Sequence, residues 1–281
     1  MKKQSFSFEF FPPKTDKGIE NLKKVRNELA DLNPNFFSVT YGAGGSTQDC
    51  TMNTVLEIQQ ETGIPTASHL SCIGSSEDQI RQMLKTYQES GINRLVALRG
   101  DLPSGMRDIG DFKYANELIE FIRKETGDYF QIEVAAYPEM HPQAPNFQTD
   151  IDNFARKMNA GADRAITQFF YNADAYFYFM DSLEKIGLDV PVLPGINPIT
   201  NFVQLARFSD GTGAEIPRWL RKRLEGYGDD LESIQKLGLE FVTDMCEKLI
   251  SQGVPGLHFY SMNRVEPSMT IWNNLGLSDF K

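Results

Sequence analysis

The sequence predicts an α/β fold, a (β/α)8 TIM barrel with an extra helix between strands seven and eight. Two observations carry that prediction. Short apolar segments of strand character alternate with segments of helical periodicity eight times, at a spacing of about thirty residues. Gly63, Gly91, Gly127, Gly161, Gly187 and Gly253 each stop a helical segment a few residues before the next strand. Glycine at such a stop adopts the left-handed conformation that turns the chain back toward a sheet. A doubly wound open sheet is the alternative, but it does not need eight such similar units. No linker or low-complexity tract interrupts the pattern, so residues 1–281 are expected to form a single domain.

The first strand is Ser5-Phe6-Ser7-Phe8-Glu9-Phe10-Phe11. Alternation sets Phe6, Phe8 and Phe10 on one face and Ser5, Ser7, Glu9 and Phe11 on the other. Pro12 and Pro13 cannot extend a ladder and end it. From Thr15, Ile19, Leu22, Val25, Leu29 and Leu32 trace a helical stripe, and residues 36–42 form the second strand. Val55 and Ile58 mark a helix, and residues 66–72 the third strand. Ser75 with Asp78 resembles an N-cap and its acidic partner, opening a helix that carries Ile80, Leu84 and Tyr87. Strands four to eight are expected at 94–101, 131–138, 164–171, 191–198 and 256–263. The helical faces between them are Leu118/Phe121/Ile122, residues 150–159, and Tyr176/Phe179/Leu183/Ile186. After strand seven come a helix at 201–208, an irregular stretch with Gly211, Gly213 and Pro217, and a long helix through Leu237, Phe241, Met245 and Leu249. A last helix runs into Trp272.

The composition narrows the function. The chain is 41% hydrophobic, enough for an ample core, and its net charge of −10 argues against a nucleic-acid or anionic-membrane surface. A phosphate-bearing ligand would need a local basic pocket. Cys50, Cys72 and Cys246 form no CxxC, which suits a reducing compartment. No apolar run is long enough to span a bilayer. Lys2 and Lys3 begin like a signal peptide, but Glu9 and the two prolines interrupt any apolar region, so a cytoplasmic protein is expected.

A barrel of this type places its active site at the C-terminal strand ends. Those ends read Glu9, Thr40-Tyr41, His69, Arg99-Gly100-Asp101, Tyr137, Gln168, Asn197 and Tyr260 to Arg264, while the strand interiors are otherwise apolar. Glu9 lies among four phenylalanines. Burial there raises a carboxyl pKa and suits a general acid, whereas pairing with a barrel arginine is the structural alternative. No lysine stands at a strand exit, which argues against a Schiff base. His69, His141 and His258 lack zinc-site spacing, and the rim carboxylates Glu9, Asp101 and Glu139 are too scattered for a magnesium cage, so no metal is expected. No GxSxG elbow occurs.

The stretch from Gly42 to Thr47 fails the GxGxxG pattern and reads as a loop that lets a flat ligand approach. Arg99 and Asp101, two apart, point the same way. They form either a local pair or a site whose carboxylate accepts two hydrogen bonds from an aminopyrimidine edge such as a pterin's. Gln168, donor and acceptor, suits the same heterocycle. Asp150, Asn153, Arg156 and Lys157 share one helix, as a solvated face or as a holder for a pyrophosphate.

Five motifs carry a resemblance: Ser7 to Pro13, Val39 to Ala43, Ala97 to Asp101, Ala135 to Glu139 and Arg164 to Phe170. In this order they resemble the bacterial methylenetetrahydrofolate reductases, from about Ser5 to about Leu275. The resemblance implies an FAD-dependent barrel that takes hydride from NADH or NADPH and reduces 5,10-methylenetetrahydrofolate to 5-methyltetrahydrofolate, supplying the methyl group for methionine synthesis. It implies that Glu9 protonates N10, opening the five-membered ring to a 5-iminium cation. It implies that Asp101 binds the pterin close to the flavin, with Gln168 on the pterin or nicotinamide. Gln204 and Arg264 match folate contacts, Thr40 an NADH contact, and Phe208 an aromatic on which either substrate stacks. FAD contacts carry over to Tyr41, Ala43, His69, Arg99, Gly100, Asp101, Ala115, Tyr137, His141, Ala144, Asp150, Asn153, Arg156 and Lys157. The family also implies a homo-oligomer, without the C-terminal regulatory domain through which eukaryotic relatives sense S-adenosylmethionine. A non-catalytic folate- or flavin-binding barrel and a proline-dehydrogenase-like flavoprotein are the competing readings.

Overall fold

The computed structural model describes residues 4–41, 45–101 and 109–279. Strands and helices alternate through β1 (Ser5–Phe10), α1 (Asp16–Ala30), β2 (Phe36–Val39), α2 (Gly45–Thr62), β3 (Thr66–Ser71), α3 (Glu77–Glu89), β4 (Arg94–Leu98) and α4 (Ala115–Thr126). They continue through β5 (Gln131–Ala136), α5 (Phe147–Asn159), β6 (Arg164–Thr167), α6 (Ala173–Lys185), β7 (Val192–Leu193) and β8 (Gly195–Ile196). Three helices follow, α7 (Phe202–Thr212), α8 (Arg218–Gly226) and α9 (Leu231–Ser251), and then β9 (Gly256–Tyr260) and α10 (Ser268–Asn274). All pairings are parallel, in the order β7-β6-β5-β4-β3-β2-β1-β9-β8.

The barrel is the one the periodicity predicts, with a broken seventh strand. Pro194 divides residues 191–198 into β7, paired with β6, and β8, paired with β9. Proline has no N–H to continue a ladder, but its carbonyl accepts the His258 N–H at 2.9 Å. Gly195 packs so tightly behind it that a Cβ would lie 2.1 Å from the Thr167 carbonyl oxygen.

The expected insertion holds two extra helices rather than one. The missed α8 carries Arg218, Arg221, Lys222 and Arg223 and buries only Leu220 and Leu224, too faint an apolar stripe to read. All six glycine stops have positive φ, from 58° to 112°. The cap of α3 is one residue later than expected. Ser76 Oγ accepts the Gln79 N–H, and Gln79 Oε1 accepts the Ser76 N–H. The helix α2 opens at Gly45, so the later part of the 42–47 stretch is helical, and residues 42–44 lie outside the described residues.

The core has two layers separated by strand parity. Outside the barrel, Phe8 is fully buried and stacks on Phe259 and on Trp272 of α10, with centroids 5.3 and 5.5 Å away. Inside, Phe36, Ala67, Val96, Ile166 and Leu193 form a small apolar plug. The barrel interior is not otherwise apolar, contrary to expectation. Glu133 in β5 is fully buried and ion-paired with Arg94 of β4, whose guanidinium lies 4.0 Å from the Phe36 ring centroid. Burial pushes the Glu133 carboxyl up to about 7, against the pull of Arg94 and Arg164. Among the described residues, no helix is long and apolar enough to cross a membrane.

The buried outer face of β1 can be tested by truncating Phe8 and, as a control, the exposed Phe11 just beyond the strand. Phe8→Ala should cost about 3–5 kcal/mol, because it empties a closed aromatic cluster. Phe11→Ala, at a position 42% exposed, should cost no more than about 1 kcal/mol. Urea unfolding midpoints with unchanged m-values measure both.

Candidate active site

The inward parity of β1 sends Ser7 and Glu9 into the barrel, opposite Phe36 and Ser38 of β2 and His258 and Tyr260 of β9. At the exit of β1, Glu9 Oε2 accepts a hydrogen bond from Ser38 Oγ at 3.3 Å. Nε2 of His69, from β3, lies 3.1 Å from the same oxygen but off the line of a good hydrogen bond. Nε2 of His258 lies 3.4 Å from it, and Nδ1 of that ring is 2.7 Å from Ser7 Oγ.

This arrangement corrects the expected environment of Glu9. Phe6, Phe8 and Phe10 look outward to the helices, and the partners of the carboxylate are imidazoles rather than an arginine. Burial alone would raise its pKa. The His69 charge and the hydrogen bond from His258 outweigh burial and hold the carboxyl down at about 2.

A second group gathers at the exits of β4 and β5. The strand β4 ends at Leu98, and Gly100 has φ +84° with Ser71 Oγ only 1.8 Å from where a Cβ would sit. The extended alternation expected to align Arg99 with Asp101 is broken there. Arg99 Nε instead donates to the Gly100 carbonyl at 3.1 Å, and Asp101 is exposed. The Tyr137 and His141 rings meet edge to face, 4.4 Å apart, and Asp150 Oδ2 accepts the His141 N–H at 2.8 Å. Burial raises the Tyr137 phenol, with Asp101 and Asp150 adding to the effect. Burial likewise lowers the His141 imidazole, opposed by Asp150.

Lys157 turns in from α5 and donates to the Ala135 carbonyl at the end of β5. A lysine thus reaches a strand exit after all, delivered by a helix. Burial pulls its ammonium down to about 8 against the opposing charge of Asp150. Arg156 stays exposed and donates to Asn153 Oδ1 at 2.7 Å, so α5 is only partly a solvated face.

The third group lines a cavity of about 280 Å³ between α7 and the exit of β9. Phe11, Asn197, Gln204, Phe208, Tyr260 and Arg264 face it. The Tyr260 ring packs edge-on against His258, and its hydroxyl donates to the Thr167 carbonyl at 2.7 Å. Tyr260 therefore stands between the cavity and Glu9, its partner in the ladder. Gln168 follows Thr167 directly, fixed by its N–H to the Ala136 carbonyl at 2.7 Å. Asn197 is buried, its amide Nδ2 donating to the Tyr171 hydroxyl at 3.1 Å.

The remaining candidates are placed less closely. Thr40 and Tyr41 follow β2, with the Thr40 carbonyl accepting from Thr51 Oγ1 at 3.1 Å. Ala115 opens α4 beside the exit of β3, where Cys72 Sγ lies 3.9 Å from the Tyr114 carbonyl oxygen. Ala144 closes a turn onto the His141 carbonyl at 2.9 Å, and Ala43 lies outside the described residues. Sequence spacing alone leaves His258 isolated and passes over Ser7, Ser38 and Arg207. Shared parity with Glu9 or Tyr260 could have flagged the first three. Helical spacing from Gln204 could have flagged Arg207, which also faces the cavity.

Residues 1–276 match the family model described as Methylenetetrahydrofolate reductase. The chain belongs to this family. It is 43% identical to the 5,10-methylenetetrahydrofolate reductase of Pectobacterium carotovorum over 273 residues, 96% of this chain and 90% of the relative. Identity with the Escherichia coli reductase is 42%, with the same coverage. Arabidopsis thaliana methylenetetrahydrofolate reductase (NADH) 1 is 38% identical over 98% of this chain but only 49% of the plant protein. Two solved structures share the fold at low identity. One, from Clostridium thermocellum and described as binding two copies of 5-methyl-5,6,7,8-tetrahydrofolic acid, has a TM-score of 0.67 at 17% identity, covering 99% of this chain and 97% of that one. Dihydropteroate synthase from Thermus thermophilus has a TM-score of 0.52 at 12% identity, covering 97% and 94%. Methylenetetrahydrofolate reductases are oxidoreductases acting on a folate.

The pairing of Glu9 has a pH signature. A carboxyl held near 2 in the folded chain against 4.5 unfolded contributes stability above 4.5 that is lost as pH falls toward 2. The stability difference between wild type and Glu9→Gln should therefore shift against wild type over that window. Urea titrations of both proteins at stepped pH measure it, and a difference independent of pH would mean that Glu9 is not held ionised.

Proposed function

We propose that the chain reduces 5,10-methylenetetrahydrofolate to 5-methyltetrahydrofolate, with NADH or NADPH as the electron source and FAD as its cofactor. The observation that carries this reading is Glu9, a carboxylate at the exit of β1 set between two imidazoles, whose ladder partner Tyr260 lines the cavity under α7. The methyl group so formed would be available for methionine synthesis.

The rim around β4, β5 and α5 fits FAD in its donor set. Arg99, Arg156 and Lys157 have no carboxylate within 4 Å among the described residues, and Lys157 presents a largely buried ammonium bonded to a carbonyl. Cations left without carboxylate partners suit a diphosphate. Arg99, Arg156 and Lys157 would hold it, with His141 and Asp150 fixing the loop after β5. Bound FAD would supply hydride transfer between the nicotinamide and the folate.

The chain's own part is to manage one proton. In the methylene bridge the carbon is bonded to both N5 and N10. Protonation at N10 breaks the carbon–N10 bond and leaves an N5 iminium whose carbon can accept hydride. Glu9 delivers that proton. His258, whose Nε2 lies 3.4 Å from Glu9 Oε2 and whose Nδ1 lies 2.7 Å from Ser7 Oγ, would orient the carboxyl for that transfer. A folate entering under α7 excludes water from the carboxylate, and desolvation then favours the protonated acid. Asp101 and Gln168 would take the polar edge of the pterin, Phe208 would stack on the ligand, and Thr40 would meet the nicotinamide nucleotide.

Two measurements test the assignment. Glu9→Gln keeps size but cannot give up a proton, so folate reduction should slow by about 10²–10⁴-fold. NADH oxidation with a quinone as artificial acceptor needs no proton at N10 and should stay within about tenfold of wild type. Equal losses in both assays would make Glu9 a structural residue. Separately, replacing Arg156 and Lys157 together with alanine should make the flavin dissociate on dilution, read from its visible spectrum after gel filtration. Full retention would place the diphosphate elsewhere.

A further inference from the structure

The cavity under α7 has an arginine on each of two walls. Arg264 comes from the exit of β9, and Arg207 from α7. Arg207 stands three residues after Gln204 and one before Phe208, and all three line the cavity. Neither arginine has a carboxylate within 4 Å among the described residues. Arg26, Arg81, Arg94 and Arg123, by contrast, are ion-paired. The one carboxylate among the lining residues, Glu266, is turned away to the start of α10. There its Oε2 accepts from both the Thr270 N–H and the Thr270 hydroxyl.

The rest of the lining is largely apolar, with Phe11, Ile199, Leu205 and Phe208 among it. An apolar slot flanked by two guanidinium groups without ion-pair partners suits a ligand with a flat middle and carboxylates at one end. We propose that Arg207 acts with Arg264 as a clamp for the two carboxylates of the ligand's glutamyl end, and that Arg207 thereby selects glutamyl-bearing folates over those lacking the glutamate. The inference rests on the folate reading above and adds to it a specificity residue on the inserted helix. Guanidinium–carboxylate bonds are charge-assisted, but both arginines are exposed, so screening limits the gain.

The test compares two ligands on the holoenzyme by equilibrium titration. One is 5-methyltetrahydrofolate, and the other is 5-methyltetrahydropteroate, which lacks the glutamate. Arg207→Met should weaken the first about five- to tenfold and leave the second within about twofold, while Arg207→Lys recovers part of the loss. The salt dependence of binding to the glutamyl ligand should also flatten in Arg207→Met, as expected when a screened charge contact is removed. Equal weakening of both ligands, or of neither, overturns the clamp and leaves the folate reading standing. Wild-type protein that binds neither pteridine overturns both.

Discussion

The two-residue alternation of β1, held in parallel register between β2 and β9, is the constraint on which the rest of the molecule depends. It gives one short segment two tasks that cannot be exchanged. Its phenylalanines join the outer core with Phe37, Phe259 and Trp272, while Ser7 and Glu9 enter the barrel. A slip of one residue would put a carboxylate into the aromatic layer and a phenylalanine on the axis. The same register brings His258 and Tyr260 beside Glu9, so packing and chemistry are set by a single choice of pairing.

Among the described residues, the barrel interior takes in the carboxylates of Glu9 and Glu133 and treats them differently. Glu133 meets Arg94, and burial prevails over that pairing and pushes the acid up. Glu9 meets two imidazoles and a serine hydroxyl, and there the partners prevail over burial. An arginine keeps its proton at every working pH, so the first pair can hold charge but cannot pass protons through its partner. The distinction follows from which basic side chain stands opposite, a guanidinium in one case and two imidazoles in the other.

Much of this is legible in the sequence. Periodicity and the glycine stops specify the barrel, and the polar strand exits mark the rim. What escapes is whatever depends on closure or on a side chain's reach. Residues 9, 69 and 258 are far apart in the chain, and only the ring of strands brings them together, so a pKa argued from neighbouring phenylalanines points the wrong way. Lys157 belongs to a helix face by its spacing, yet its long side chain extends to a strand end. The break at Pro194 falls inside an apolar run whose hydrophobicity conceals it, and α8 shows too few apolar residues to declare itself.

Closure also has a consequence in time. Strand β1 pairs with β9, Ser5 lying opposite Gly256, about 250 residues further along the chain. Contacts so distant along the chain form slowly, because a long loop must close before they stabilise anything. Until then the inner edge of β1 lacks its neighbour, and Glu9 lacks His258. Barrel completion and the meeting of Glu9 with His258 are therefore one event. A chain cut before β9 would leave Glu9 without His258 beside it.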